Sequence, residues 1–204
     1  LEVQYPNGAW PQRWDRFPDP GKYSVAKARY PETWPREWPD VDYRDFYTFN
    51  DNAIADVIDV MLEAHRTYDD ERYLEAALRA GDFMILAQMP EPQPTWAQQY
   101  NHRMEPVWAR RFEPASVTGG ESSGVMRSLL DLYVQTGEKR FLEPISPALA
   151  WMKRSLLPDG RLARFYELET NTPLYFVRDT YVLTYSDADM PTHYSFKVSG
   201  KQRV

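Results

Sequence analysis

A pattern of apolar residues at helical spacing occurs twice in the chain, and this repeat constrains the fold more than any other feature. The copies span residues 54–88 and 118–156, and each contains two amphipathic segments. Glu71–Leu74 and Lys139–Leu142 occupy equivalent places between those segments, 68 residues apart. Repeated helical hairpins bury their apolar faces against their neighbours. The repeat therefore predicts a mainly α fold, an (α/α) toroid of helical hairpins with long loops; an open helical repeat is the alternative.

Local sequence signals predict where these helices begin. Phe49–Asn52 has the pattern of a hydrophobic staple and N-cap for the first helix. Thr118 and Glu121 have the spacing of a capping box for the third, and Ser146 followed by proline is typical of the start of the fourth. In a toroid, these helix starts and the loops between the repeats would open onto the same face.

Beyond the helices the apolar period shortens to two, which indicates strands. Residues 162–166 and 173–177 have this pattern, and the turn formers of Glu169–Thr172 separate them, so we expect a short β-hairpin. Residues 180–204 have too weak a pattern for anything but coil. We expect residues 1–204 to form a single domain, incomplete at its N-terminal end because Leu1 begins within sequence typical of a domain interior.

The first 40 residues differ from the rest in composition. They contain seven of the 17 prolines and four of the 7 tryptophans. Such a density of proline excludes a helix. Tryptophans on long loops are typical of surfaces that contact carbohydrate; the alternative is that they only anchor the loop to the body of the protein.

Charge and composition exclude several classes of function. Lys and Arg number 24 against 30 Asp and Glu, a net charge of −6, whereas a non-specific nucleic-acid binder is usually basic. No apolar run approaches the ~18 residues of a membrane span. The absence of cysteine excludes disulfides and thiolate chemistry. We therefore expect neither a nucleic-acid nor a membrane partner, and a monomer.

Two features resemble catalytic motifs, but the surrounding sequence does not support either one. Gly120–Gly124 matches the nucleophile elbow of serine hydrolases, but no strand-like segment precedes it, as that motif requires. His65, His102 and His193 are isolated in the sequence, and no pair has the spacing of a zinc site. The glycines are better explained as a helix entry.

Arginine is the strongest chemical signal, because guanidinium groups bind carboxylates through paired hydrogen bonds. An acidic protein with arginines on its loops is typical of one that binds an anionic ligand, although each arginine could instead pair with a nearby acid. Asn50–Asn52 adds three oxygen-bearing side chains that suit a hard cation or sugar hydroxyls, or simply a helix cap. Six arginines fall in the predicted loops and hairpin: Arg103, Arg110, Arg111, Arg161, Arg164 and Arg178.

Eight short stretches, in order over about residues 1–180, resemble the family 10 polysaccharide lyases, the pectic acid lyases. They are Tyr5–Gln12, Tyr47–Ala53, Trp96–Asn101, Trp108–Pro114, Gly120–Ser122, Arg164–Glu167, Thr170–Pro173 and Arg178–Asp179. The resemblance implies an (α/α) toroid and eliminative cleavage of polygalacturonate, with calcium bridging protein and substrate. The family domain is longer at its N-terminal end, so the chain resembles its C-terminal two thirds.

The resemblance also implies roles for individual residues. Arg178 matches the arginine that acts as base, with Arg164 as the second catalytic arginine. Asp51 and Asn101 would be calcium ligands, but Asn101 stands where members commonly have an acidic residue, so calcium affinity should be reduced. The implied substrate-binding residues are Asn50, Asp51, Tyr100, Arg110, Glu113, Glu121 and Tyr166.

Two functions are consistent with these features. The first is a pectate lyase, secreted or periplasmic in its full-length form. The alternative is a non-catalytic toroid that holds an acidic polysaccharide without cleaving it, which the missing N-terminal helices and the uncharged Asn101 favour.

Overall fold

The computed structural model describes residues 1–14, 17, 19, 21–44 and 46–199, and the fold within them is mixed α and β. These residues form four α-helices and eight short strands, and only 34% of them are helical. The prediction of a mainly α toroid is therefore wrong. The segments between the helices pair as strands of two to four residues, which are too short to produce a recognisable period-two pattern.

The first copy of the repeat is a strand, two helices and a returning strand. Strand β1 (Tyr47–Thr48) precedes helices α1 (Ala55–Tyr68) and α2 (Glu71–Leu86), which form a helical hairpin. Strand β2 (Gln99–Tyr100) returns to pair antiparallel with β1. The tight connection between the helices explains their hairpin, since the side chain of Asp70 caps α2 by accepting from the N–H of Arg72 at 3.0 Å.

The second copy repeats this arrangement. Strand β3 (Val117–Thr118) leads directly into α3 (Gly119–Thr136), followed by α4 (Ile145–Arg154). Strand β4 (Arg161–Ala163) comes next, and β5 (Phe165–Tyr166) pairs antiparallel with β3. Helices α2 and α3 pack together, which joins the two copies in one core.

The two copies share a detail at the end of their second helix. The hydroxyl of Tyr100 donates to the carbonyl of Ala87, just after α2, at 2.7 Å, and that of Tyr166 donates to the carbonyl of Ser155, just after α4, at 2.6 Å. Each hydroxyl also accepts from the backbone N–H three residues before it, at 2.6 and 2.9 Å. Both tyrosines are fully buried. They connect helix and strand, and neither lines the clefts described below, although a role in substrate binding was predicted for both.

Three predicted helix caps are absent. Helix α4 begins at Ile145 with no side-chain cap, so Ser146 lies within its first turn. Thr118 precedes α3, but its hydroxyl donates to the carbonyl of Trp96 at 3.3 Å and does not cap the helix. Glu121 contacts Arg164 and does not complete a capping box. Asn50–Asn52 forms a separate 3₁₀ turn, and no side chain caps α1. Thr118 and Glu121 therefore bond to a loop carbonyl and to an arginine, and not to the first turn of a helix.

The C-terminal part of the described chain adds β6 (Pro173–Phe176) and β7 (Leu183–Thr184) to the sheet of β3 and β5, and supplies β8 (Lys197–Ser199) for a separate two-stranded sheet with β4. Strand β6 pairs antiparallel with β5, which confirms the predicted hairpin. The first predicted segment, residues 162–166, is divided between two strands, because β4 pairs with β8 and only β5 pairs with β6. Strand β7 pairs with β6. The prediction of coil beyond residue 180 is thus wrong for β7 and β8, and residues 200–204 lie outside the described part.

The N-terminal residues 1–14 and 21–44 contain neither helix nor strand, as their prolines predicted; Pro18 and Pro20 lie outside the described residues. Their tryptophans differ in exposure. Trp10 is buried, Trp34 is half-buried, and Trp38 donates its indole N–H to the carbonyl of Ala109 at 3.0 Å. Trp14 is exposed. Each helix in the described ranges is too short or too polar to span a lipid bilayer.

Candidate functional site

A cleft of about 470 Å³ lies between the equivalent turns of the two copies, a size typical of small-molecule sites. The turn after β1 contributes Asn50 and Asp51, and the first turn of α3 contributes Glu121. Arg164, which lies between β4 and β5, and Arg127 also line it. Four of these residues were predicted to bind substrate or to take part in catalysis, and the structure brings them together.

A smaller cleft of about 110 Å³ continues from the first, because Asn50 and Asp51 line both. Its other charged lining residues are Arg13, Arg44, Arg110 and Glu113. The predicted substrate-binding residues Arg110 and Glu113 therefore face the same continuous surface as Arg164.

The backbone of the turn after β1 is unusual. Asp51 and Asn52 both have positive φ, 52° and 56°. Such conformations cost free energy in residues other than glycine and concentrate at functional sites. The side-chain amide of Asn50 donates to Oδ2 of Asp51 at 3.2 Å, and within the described residues Asp51 forms no ion pair. Helix capping does not explain this cluster, whereas a ligand with hydroxyl or cationic groups would use it.

Glu113 is the buried centre of one half of the site. Arg110 Nη2 lies 2.5 Å from its Oε1, the Tyr194 hydroxyl donates to the same oxygen at 3.1 Å, and the Asn50 amide approaches it at 3.5 Å. Burial alone would raise the pKa of Glu113, but the hydrogen bond and charge of Arg110 outweigh burial and lower that pKa. The same hydrogen bond raises the pKa of Arg110, so the pair stays ionised.

Arg164 and Glu121 form the other half. Arg164 Nη2 lies 2.6 Å from Glu121 Oε1, and only 16% and 6% of the two side chains are exposed. Arg164 Nε and Glu121 Oε2 are buried and have no hydrogen-bond partner among the described residues. The ion pair thus holds the Arg164 guanidinium at the wall of the cleft.

Tyr194 connects the two halves, and the sequence contained no signal for it. The Arg164 guanidinium carbon lies 4.4 Å from the centre of the Tyr194 ring, while the hydroxyl of that ring reaches Glu113. Burial, and then the charge of Glu113, raise the pKa of Tyr194, so it remains a neutral donor. Its partner Glu113 is 81 residues away in sequence, and such a contact leaves no local pattern.

Arg178, the predicted base, lies away from these clefts. Its Nε is 3.2 Å from Asp189 Oδ1, its side chain is 48% exposed, and it does not line either cleft. Arg178 lies in the turn that follows β6, beyond the last residue of that strand, Phe176.

The two predicted calcium ligands also lie apart. Asp51 lines the clefts described above, whereas Asn101 lines a third groove. The Asn101 side-chain oxygen accepts from the N–H groups of Arg103 and Glu105 at 2.8 and 3.1 Å, which closes a turn. Within the described ranges, no three His, Asp or Glu side chains are grouped as a metal site requires. These residues do not fit a resident calcium ion.

Comparison with known proteins identifies the relatives of this chain. A family model described as pectic acid lyase matches residues 1–163. The chain belongs to the pectic acid lyase family. This confirms the resemblance drawn from the sequence and makes the chain a member of a polysaccharide lyase family; the matched range ends just before Arg164.

Solved structures show the same fold. A mutant of the family 10 polysaccharide lyase from Cellvibrio cellulosa, in complex with trigalacturonic acid, is 24% identical with a TM-score of 0.70, over 97% of this chain and 66% of that one. The same lyase in a second structure is also 24% identical with a TM-score of 0.70, over 96% and 64%. This pectic acid lyase family member therefore spans about two thirds of the length of these proteins. Among curated proteins, no sequence matches it.

Proposed function

We propose that this chain binds polygalacturonate in the cleft around Asp51 and Arg164 and cleaves it by β-elimination. The observation that carries the proposal is the Arg164 guanidinium, fixed by Glu121 and by the Tyr194 ring at the wall of the cleft. Arginine suits a uronate carboxylate because its planar donors match both oxygens. The complex of the Cellvibrio lyase with trigalacturonic acid supports a ligand of this class.

The proposed reaction removes the C5 proton of a uronate residue and expels the oxygen on C4. The C5–H electron pair becomes the C4–C5 double bond, the C4–O bond breaks, and the leaving oxygen takes a proton. Negative charge develops on the C5 carboxylate during proton removal, and a fixed guanidinium at that point stabilises it. We assign this role to Arg164.

We assign the role of base to Arg178, because it matches the arginine that acts as base in the family that the chain resembles. In this role Arg178 must leave Asp189 and reach the cleft, which it does not line, and it must lose a proton, which arginine resists in proteins. Arg178→Lys keeps the charge but not the guanidinium geometry, so it should abolish turnover and leave affinity for polygalacturonate unchanged. Parental turnover in this variant would contradict the assignment.

Calcium enters the proposal only together with substrate. Because the described residues form no resident site, a bound ion would take ligands from uronate carboxylates as well as Asp51. Calcium there would neutralise carboxylate charge. The residues of the chain that bind, orient and stabilise remain Asp51, Arg110 and Arg164.

The test is incubation with polygalacturonate and calcium while ultraviolet absorbance of the unsaturated product is followed. Arg164→Gln should remove the absorbance and weaken binding of trigalacturonic acid, whereas Arg72→Gln on the outside of α2 should leave both unchanged. Binding without absorbance in the parent would favour the non-catalytic binder of acidic polysaccharide. If the parent shows no binding and no absorbance, the proposed substrate is wrong.

A further inference from the structure

The segment Gly120–Gly124 matches a nucleophile elbow in sequence, but it forms the first turns of α3. Ser122 is fully buried, and its hydroxyl accepts a hydrogen bond from the hydroxyl of Thr95 at 2.6 Å. Gly124, in contrast, lines the cleft that contains Arg164. The serine of this motif therefore belongs to the core, and its last glycine belongs to the cleft.

Glycine within a helix lowers the stability of that helix relative to alanine, and packing explains two other helical glycines of this chain. A Cβ at Gly81 of α2 would lie 2.5 Å from Phe141 Cε1 and 2.6 Å from Leu132 Cδ1. A Cβ at Gly119, the first residue of α3, would lie 3.0 Å from the carbonyl oxygen of Ala163. Neighbouring atoms thus leave no room for a side chain at either position.

Packing does not explain Gly124. Apart from its chain neighbours and the backbone of its own helix, no atom of the described residues lies within 4 Å of a Cβ built at this position. The backbone of Gly124 has the ordinary conformation of α3, which other residues adopt as well. The free space in front of it belongs to the cleft of about 470 Å³. The fold therefore has no need of glycine here, and the open space faces a candidate ligand site.

A side chain at position 124 would extend toward the charged wall of the cleft. Side chains of a helix lean toward its N-terminus, so residue 124 would cover the turn that begins at Gly120. That turn contains Glu121, whose Oε1 lies 2.6 Å from Arg164 Nη2. Any side chain larger than that of glycine would therefore narrow the space beside the guanidinium.

We propose that Gly124 is a specificity-determining residue of this cleft, because its missing side chain lets the ring of a uronate lie against the backbone of α3 while its carboxylate reaches Arg164. The inference rests on the proposed function. The carboxylate of a uronate is attached directly to a ring carbon, so the ring has to fit beside the guanidinium that binds the carboxylate. The bare surface of α3 at Gly124 provides that room and sets the size of the group that can accompany the carboxylate.

Gly124→Ala separates this role from a structural one, because the two roles predict opposite effects on stability. Alanine fits the open space and favours the helix, so we expect the melting temperature to rise by about 2–4 °C. The added methyl group should weaken binding of trigalacturonic acid about five- to tenfold in calorimetric titration. Gly124→Leu should abolish measurable binding, because its longer side chain reaches the ion pair of Glu121 and Arg164.

Ser128→Ala is the matched control, since Ser128 lies one turn further along α3 and does not line the cleft. It also replaces a weaker helix former by alanine, and it should leave the affinity unchanged. Parental affinity in Gly124→Ala, or a lower melting temperature of that variant, would overturn this inference and leave the proposed function standing. A parent protein that binds neither trigalacturonic acid nor polygalacturonate would overturn both.

Discussion

Glu113 shows how a single carboxylate organises the site. It is almost inaccessible to solvent, yet it remains ionised because Arg110, Tyr194 and Asn50 surround it with donors. A buried charge without such partners would be costly. The residue therefore positions Arg110 and the turn that carries Asp51.

Glu113→Gln should make this contribution measurable. The pKa of Glu113 lies below its usual value of 4.5 in the folded protein, so its stabilisation is complete above pH 4.5 and is lost as the pH falls through the folded-state pKa. We expect the variant to lose about 1–3 kcal/mol at pH 7, and the difference from the parent to shrink toward pH 3. Denaturant unfolding across this range measures it. Glu63→Gln, an exposed carboxylate paired with Arg66, is the control; a pH-independent difference for Glu113→Gln would contradict the prediction.

Two variants of Tyr194 separate its ring from its hydroxyl. Tyr194→Phe keeps the ring beneath Arg164 and should bind trigalacturonic acid nearly as the parent does. Tyr194→Leu removes the ring, which contributes about 0.5–2 kcal/mol to holding a cation, and should weaken binding about three- to tenfold. Calorimetric titration measures both. Parental affinity in Tyr194→Leu would show that the ring does not position Arg164.

At the level of strands and helices, the chemistry arises from a difference between two equivalent units. The N–H of Phe49 donates to the carbonyl of Gln98 in the first copy, and that of Gly119 donates to the carbonyl of Arg164 in the second. Gln98 and Arg164 therefore occupy equivalent positions, each before the returning strand. The first copy has a neutral amide at this position, whereas the second has the cation that lines the cleft.

The tyrosines that link each helix pair to its returning strand give a matched test. Tyr100→Phe and Tyr166→Phe each leave a buried carbonyl and N–H without a partner, which costs about 1–3 kcal/mol. We expect both variants to melt at lower temperature and to bind trigalacturonic acid as the parent does. Weaker binding at unchanged stability would restore the substrate contact first predicted for them.

At the scale of the whole molecule, the clefts lie where the two units and the N-terminal segment meet. The proposed calcium ion would bind on this surface together with the substrate. With Asn101 closing its own turn, and no three His, Asp or Glu side chains grouped as a metal site among the described residues, we expect no saturable calcium binding in the absence of substrate. Calorimetric titration of the parent checks this, with trigalacturonic acid added in a second series. Tight binding of calcium alone would contradict it.

The sequence predicted those features that depend on neighbouring residues. Helices α1 to α4, the hairpin of β5 and β6 and the absence of helix from the described residues before 40 follow from apolar spacing and proline, which act within a few turns of chain. The family was recognisable as well, because short motifs in a fixed order persist where overall identity is low. The toroid was wrong because strands of two residues have no periodicity to detect.

The assignment of side chains to clefts needed the folded chain. Polar residue types indicated that Asp51, Arg110 and Arg164 have chemistry to perform, but not that Arg164 faces the cleft while Arg178 pairs with Asp189 on an exposed loop. Tyr194 and Glu113 meet across 81 residues only after the C-terminal strands have paired. Such contacts depend on the register and order of distant strands, and no local spacing of residues encodes them.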